Sequence, residues 1–348
     1  MTASFPSSIK SYTTKIDNVT QVLAEDVNSP QEEIVAIETL LGVNGLSWIG
    51  EGQMMNGFIQ ASVSSNNLTV QIRTMAGTAP SASAPVYARI NGTIRKITAA
   101  LSVTKIAGTN WCDAGSAELA TYEQDYFVYL GYNATDGVLI GFSRIPYGTR
   151  YDSFSATATS QRYCAISTIT NAAAADYYTV IGRFAATLSA GAGYTWSVPT
   201  FTNDNLIQRP IFETRILSWL PSWTNVTVGN ATQSAYYQIY GRWCKEKSAF
   251  TLGSTSSVTG AATHTLPISR VTTYYSGSGG PVLGFVRYSD TGSAIYEGVP
   301  LSNAATTIGF YAKVASGTYI SLATISGTVP HTWANTDLIE DWLDYEIA

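Results

Sequence analysis

Residues 219–267 read WLPSWTNVTVGNATQSAYYQIYGRWCKEKSAFTLGSTSSVTGAATHTLP, and this stretch limits the fold more than any other. Val226 and Val228 bracket Thr227 ahead of a Gly229-Asn230 turn signal, and residues 236–240 and 242–252 are further short runs rich in aromatic and β-branched side chains. A period of two, repeatedly cut by turn residues, is the pattern of half-buried strands rather than helices.

The same pattern fills most of the chain. Residues 68–75 alternate apolar and polar, residues 86–97 carry Asn91-Gly92 between two runs, and residues 125–145 carry Asp136-Gly137. Asn-Gly and Asp-Gly between such runs are strong hairpin signals, because both residues tolerate the positive φ that a tight turn demands. Further strands are expected at 163–169, 177–184, 282–288, 294–299, 308–314 and 319–325, and a turn followed by a strand at 337–347. Around 200–215 the alternation lapses between Pro199 and Pro210, which reads as a join. The expected fold class is mainly β, with a short N-terminal helix followed by two β-sandwich (jelly-roll-like) modules, 50–212 and 213–348, since many short strands with regular turns pack as sandwiches or barrels.

Residues 1–45 form the expected exception. Ser29-Pro30-Gln31-Glu32 has the residues of a helix start: a capping serine, a proline suited to the first helical position and an acid that completes a capping box. Gly42 supplies a stop. Ile34, Ile37, Leu40 and Leu41, with Val35, make an apolar stripe on a helix too short to be stable alone in water. The stripe needs burial against its own β-module or against other copies, and isoleucine at seam positions favours a three-stranded bundle.

Composition narrows the function. Charged residues are 12% of the chain, about half the usual share, so the surface is largely neutral and polar. The formal net charge is −5 and there is no basic run, which argues against nucleic acid as a partner. Cys112, Cys164 and Cys244 are far apart with no Cys-x-x-Cys pair, so neither a zinc ribbon nor a disulfide framework is indicated. The first residues lack the apolar core of a signal peptide, and no run is long enough to span a membrane; a soluble protein made in the cytoplasm is expected.

Catalytic patterns are thin. Glu123/Asp125 and Glu340/Asp341/Asp344 could pair as acid and base for glycoside hydrolysis, but surface carboxylates are the ordinary outcome for such residues. Only His264 and His331 occur, without a nucleophile elbow or a metal-ligand spacing, so no enzyme, cofactor or metal is expected. The glycines of GSGGPVLG at 277–284 lack the lysine of a phosphate loop. Aromatics are the stronger signal: Tyr274, Tyr275, Tyr288, Tyr296 and Tyr319 are the candidate contacts for a neutral glycan, because a phenol offers a flat apolar face and a polar edge. Trp219 and Trp223 read as packing at the join.

The Trp-x-Pro-x-Trp opening at residue 219, NVTVGNATQ, TLGSTSSVTGA and TLP resemble C-terminal modules of tailed-bacteriophage virion proteins. IKSYTTKIDNVTQVLAEDVNSPQEEIVAIETLLG is similar to the opening of many such proteins, and RTMAGTAPSASAPVYARINGTIRKITAALSV and GTNWCDAGSAELATYEQDYFVYLGYNATDGVLIGFSRIPYG resemble phage structural proteins. The resemblance implies a tail-fibre, neck or head-fibre appendage located on the virion. It further implies a homotrimer attached to other virion proteins through its N-terminal part and presenting β-modules to host-surface glycan. A non-adhesive capsid-decoration or neck protein and a polysaccharide depolymerase are the alternatives, and the family carries no catalytic motif onto this chain.

Overall fold

A computed structural model describes residues 24–41, 49–105, 122–144, 165–166, 177–189, 195–204, 213–272, 280–302, 304–316 and 318–347. It is mainly β with one helix, α1 (Ala24–Leu41). Among the described residues no helix is long and apolar enough to cross a membrane.

Helix α1 begins before the expected Ser29 cap, so Pro30 lies inside it rather than at its start. Glu25 and Asp26 fall in its first turn instead. Pro30 has no N–H to donate back to Asp26 and interrupts the ladder there. Ser29 and Glu33 are buried, one turn apart, whereas Ile34 is 54% exposed and Val35 is also exposed. The side chains of Ile37, Leu40 and Leu41 lie outside the described residues.

The chain then builds β1 (Met54–Met55), β2 (Gly57–Ser64), β3 (Asn67–Thr74), β4 (Val86–Ile90), β5 (Thr93–Ile97) and β6 (Ser102–Lys105). These form two three-stranded sheets, β1-β4-β5 and β2-β3-β6. The β4–β5 turn is at Asn91-Gly92 as expected, both at positive φ, and the Glu51 carboxylate accepts from both their N–H groups at 2.7 and 2.9 Å. A six-stranded sheet follows from β7 (Glu123–Asn133), β8 (Gly137–Ser143), β9 (Ala165–Ile166), β10 (Tyr177–Ser189), β11 (Thr195–Trp196) and β12 (Phe201–Asp204). Tyr126, Phe142, Phe184 and Trp196 pack ring against ring in its core. The alternation-poor segment near residue 200 is therefore strand at 201–204, paired with β10; residues 205–212 and most of the strand expected at 163–169 lie outside the described residues.

All remaining strands belong to one ten-stranded antiparallel sheet: β13 (Leu217–Trp219), β14 (Trp223–Thr227), β15 (Thr232–Tyr240), β16 (Trp243–Thr251), β17 (Ser257–Thr265), β18 (Gly284–Asp290), β19 (Ala294–Ser302), β20 (Thr307–Ser316), β21 (Tyr319–Thr324) and β22 (Leu338–Glu346). Its order is β13-β15-β16-β22-β18-β19-β20-β17-β14, with β21 on the outer edge of β20. The last strand is thus central. The sheet curls on itself, so that Trp223 of β14 packs against Phe250 of β16 at 4.9 Å as well as against Phe310 of β20 at 5.5 Å. Trp219 is buried in the same core.

A polar clasp joins this sheet to the preceding one. The Tyr237 hydroxyl donates to Gln124 Oε1, Gln124 Nε2 donates to the Ser218 carbonyl at 3.0 Å, and the buried Arg144 donates to Tyr237 and, at 2.6 Å, to the Pro267 carbonyl.

Candidate functional site: an aromatic row on the outer face

Strand alternation decides which side chains of the ten-stranded sheet meet solvent. On β15 and β16 Ala235, Tyr237, Ile239, Cys244, Ser248 and Phe250 turn inward, so Tyr236, Tyr240, Trp243, Lys245 and Lys247 turn outward. Register then aligns four of the outward residues across neighbouring strands: Tyr236 opposes Lys247, Lys247 opposes Trp342 of β22, and Trp342 opposes Phe285 of β18. At the usual strand spacing the row is on the order of 14 Å long.

Its members touch. The Lys247 ammonium lies 5.1 Å from the centre of the Trp342 ring, and the Phe285 and Trp342 rings are 5.8 Å apart. Tyr236 is 48% exposed, and Phe285 also reaches solvent. One same-face position along, Glu340 forms ion pairs with Lys247 at 3.1 Å and with Arg287 at 2.6 Å, which holds both cations in place beside the rings. Tyr240 and Trp243, both exposed, extend the apolar surface toward the β15–β16 turn, where Arg242 pairs with Glu346 at 3.2 Å. Flat aromatic faces with fixed hydrogen-bonding groups at their edges can pack the C–H face of a sugar ring and bind its hydroxyls.

No family model, curated protein or solved structure matches this chain.

Of the five tyrosines singled out from sequence, the three described do not share one exposed surface. Tyr288 faces inward and is fully buried, with its phenol pKa raised by burial and then by the charge of Asp341, so a surface ligand cannot reach it. Tyr296 opposes Tyr288 on the same inward face, half-buried and stacked on His331 at 5.3 Å. Tyr319 is 79% exposed but sits on the edge strand β21. Tyr274 and Tyr275 lie outside the described residues. The signal that finds the outer row is an aromatic at a position whose neighbours on both sides are inward, as Tyr236 is between Ala235 and Tyr237.

The carboxylate pairs are also resolved. Glu123 and Asp125 share one face of β7, and Arg215 occupies it: the guanidinium donates to Asp125 at 2.7 and 2.9 Å and to Glu123 at 2.9 Å, while Arg183 approaches Asp125 at 3.4 Å. Burial alone would raise the Glu123 carboxyl; hydrogen bonds from Thr200 and Arg215 outweigh it and leave it below the ordinary range. A carboxyl held ionised in this way is poorly suited to donate a proton. In the second group Asp341 faces the inside of the sheet, while Glu340 and Asp344 face the other side, Glu340 buried there beneath its cations and Asp344 exposed.

Two histidine-containing clusters appear that no sequence spacing announced. Asp290, His331 and Asp337 form one, but Asp337 already accepts from Thr291 N, Ala334 N and, at 3.2 Å, pairs with His331 Nε2. It works as a loop clasp. Glu246, His264 and Asp341 form the other, inside the curled sheet. Burial, and next the Asp341 charge, push the Glu246 carboxyl well above its ordinary range.

Proposed function

We propose that this chain is an outward-displayed adhesion protein of a tailed-phage particle, whose ten-stranded module binds a neutral host-surface glycan along the row Tyr236, Trp342 and Phe285. The observation that carries the binding part is the alignment of those three rings and Lys247 across four adjacent strands, with Glu340 and Arg287 beside them. A low-charge surface suits an uncharged ligand. The phage part rests on the sequence resemblance. A jelly-roll-like sandwich in each module belongs to the same reading, since a rigid curled sheet keeps such a row flat and presented.

The N-terminal part attaches to the particle and gathers copies as a trimer in this reading. The exposure of Ile34 on α1 supports it, because an apolar side chain at the helix surface suits a contact between copies. The testing experiment is a glycan array with the full chain and with Trp342→Ala. Binding by the first and not the second, at unchanged oligomeric state, supports adhesion. Silence from both favours a non-adhesive decoration or neck protein, and dissociation of the oligomer in Trp342→Ala assigns the row to a subunit interface.

A further inference from the structure

The interior of the ten-stranded sheet holds a set of groups that adhesion does not use. Glu246 on β16, His264 on β17 and Asp341 on β22 each bring a ligand atom within 4.8 Å of the others. His264 and Asp341 are fully buried and Glu246 is 4% exposed. Four of their atoms have no hydrogen-bond partner: both Glu246 oxygens, His264 Nε2 and Asp341 Oδ2. Buried carboxylates without partners are expensive, and two of them side by side more so.

The engaged atoms aim the free ones at one point. His264 Nδ1 lies 2.7 Å from the Thr265 carbonyl, which can only accept, so Nδ1 carries the proton and the Nε2 lone pair faces Asp341. Asp341 Oδ1 accepts from the Ser248 hydroxyl, which leaves Oδ2 turned to the centre. Such outer partners are how metal-binding histidines and carboxylates are held in orientation. The Nε2 to Oδ2 separation is 3.4 Å. That is about the edge of a tetrahedron whose N and O ligands stand roughly 2.1 Å from a common centre.

One proton does not satisfy the geometry: shared between Glu246 and Asp341, it leaves the second Glu246 oxygen and His264 Nε2 without a partner. We propose that Glu246, His264 and Asp341 bind a divalent transition-metal ion of the zinc type, which ties β16, β17 and β22 together across the inside of the curled sheet. Two carboxylates balance a dication, and one imidazole nitrogen selects a borderline ion over calcium or magnesium, which favour all-oxygen sites. The Tyr288 phenol, buried without a hydrogen-bond partner and near enough to Asp341 to feel its charge, stands beside the site. Trp223 and Phe310 pack on the His264 ring at 5.0 and 5.1 Å and keep water out. The two Glu246 oxygens, His264 Nε2 and Asp341 Oδ2 make four donors, and a site filled and closed in this way is structural rather than catalytic.

The test refolds the full chain from denaturant with chelator, with Zn2+ or with Co2+, then measures metal content, Co2+ visible absorption and Tm. One ion per chain is expected, with a low-symmetry Co2+ spectrum and, at a hundredfold excess over Kd, a Tm rise on the order of 5–10 °C. Glu246→Gln should abolish the ion and the Tm rise, yet melt higher than the parent in chelator, because the amide replaces a buried carboxyl whose oxygens have no donor and which crowds Asp341. His331→Gln, in the loop clasp, should keep the ion. No bound metal and no Tm change in the parent chain would overturn the proposal without any variant. Loss of the ion in His331→Gln, with retention in Glu246→Gln, would overturn it equally.

Discussion

His264 Nε2 and Asp341 Oδ2 stand 3.4 Å apart, although three strands of their shared sheet lie between β17 and β22. Such an approach requires the sheet to roll until its inward faces meet. The same roll turns the outward face of β15, β16, β22 and β18 into a continuous convex surface, which is where the aromatic row lies.

If that row is a binding surface, each ring carries a separable share. Trp342→Ala and Phe285→Ala should each weaken glycan binding about tenfold, equivalent to roughly 1.4 kcal/mol, while far-ultraviolet circular dichroism and Tm stay near the parent values. Tyr319→Ala, on the β21 edge, should leave affinity unchanged. Titration calorimetry with a glycan found on the array measures all three.

Arg215 closes a clasp over Asp125, whose side chain is fully buried. Arg215→Ala should destabilise the fold by about 3 kcal/mol, the low end for breaking a buried pair, because Arg215 itself reaches solvent and Arg183 remains nearby. Urea denaturation reads the change.

The Glu123 carboxyl adds a pH dependence of known sign. Its folded pKa lies below the ordinary 4.5, so its stabilising contribution is present above 4.5 and is lost as pH falls through the lower, folded value. Below pH 4.5 the parent chain should therefore lose stability more steeply than Glu123→Gln, as seen in Tm against pH.

Tyr237 joins the two sheet systems through its hydroxyl. Tyr237→Phe removes no volume but strands Gln124 Oε1 and one Arg144 contact, and should cost about 1–3 kcal/mol by thermal or urea unfolding.

Cys244 is buried on the inward face of β16, and burial pushes its thiol up to about 12. Native protein at pH 8 should leave Cys244 unlabelled by iodoacetamide, with full labelling after denaturation, as followed by peptide mass spectrometry.

Strands were legible wherever the two faces differ in polarity and a turn carries its own chemistry. Asn91-Gly92 and Asp136-Gly137 mark real hairpins, and β3 alternates as its sequence does. Helix α1 was legible in kind but not in its start, because Ser29-Pro30 has the form of a cap while the preceding acids extend the helix past it. The last strand was harder to see. Asp341 shares the inward face of β22 with Ile339, Leu343 and Tyr345, so the polarity alternation that marks a strand is broken by a buried acid.

The site was not legible because register between distant strands is set by topology. Tyr236, Lys247, Trp342 and Phe285 become neighbours only when residues 338–346 insert between β16 and β18. Phenol chemistry alone, without the strand face, includes Tyr288, whose place on the strand points it into the core. The Glu246, His264 and Asp341 cluster was hidden for the same reason, since its members are brought together by the curl rather than by spacing along the chain.

The most direct measurement is the affinity of the full-length chain and of the double variant Trp342→Ala/Phe285→Ala for immobilised host-surface glycans, at matched oligomeric state. The aromatic row predicts saturable binding by the parent chain and a loss of at least about tenfold in the double variant, since the two rings touch and their shares need not add. Equal binding by the two proteins, or none by the parent across the whole panel, would contradict it.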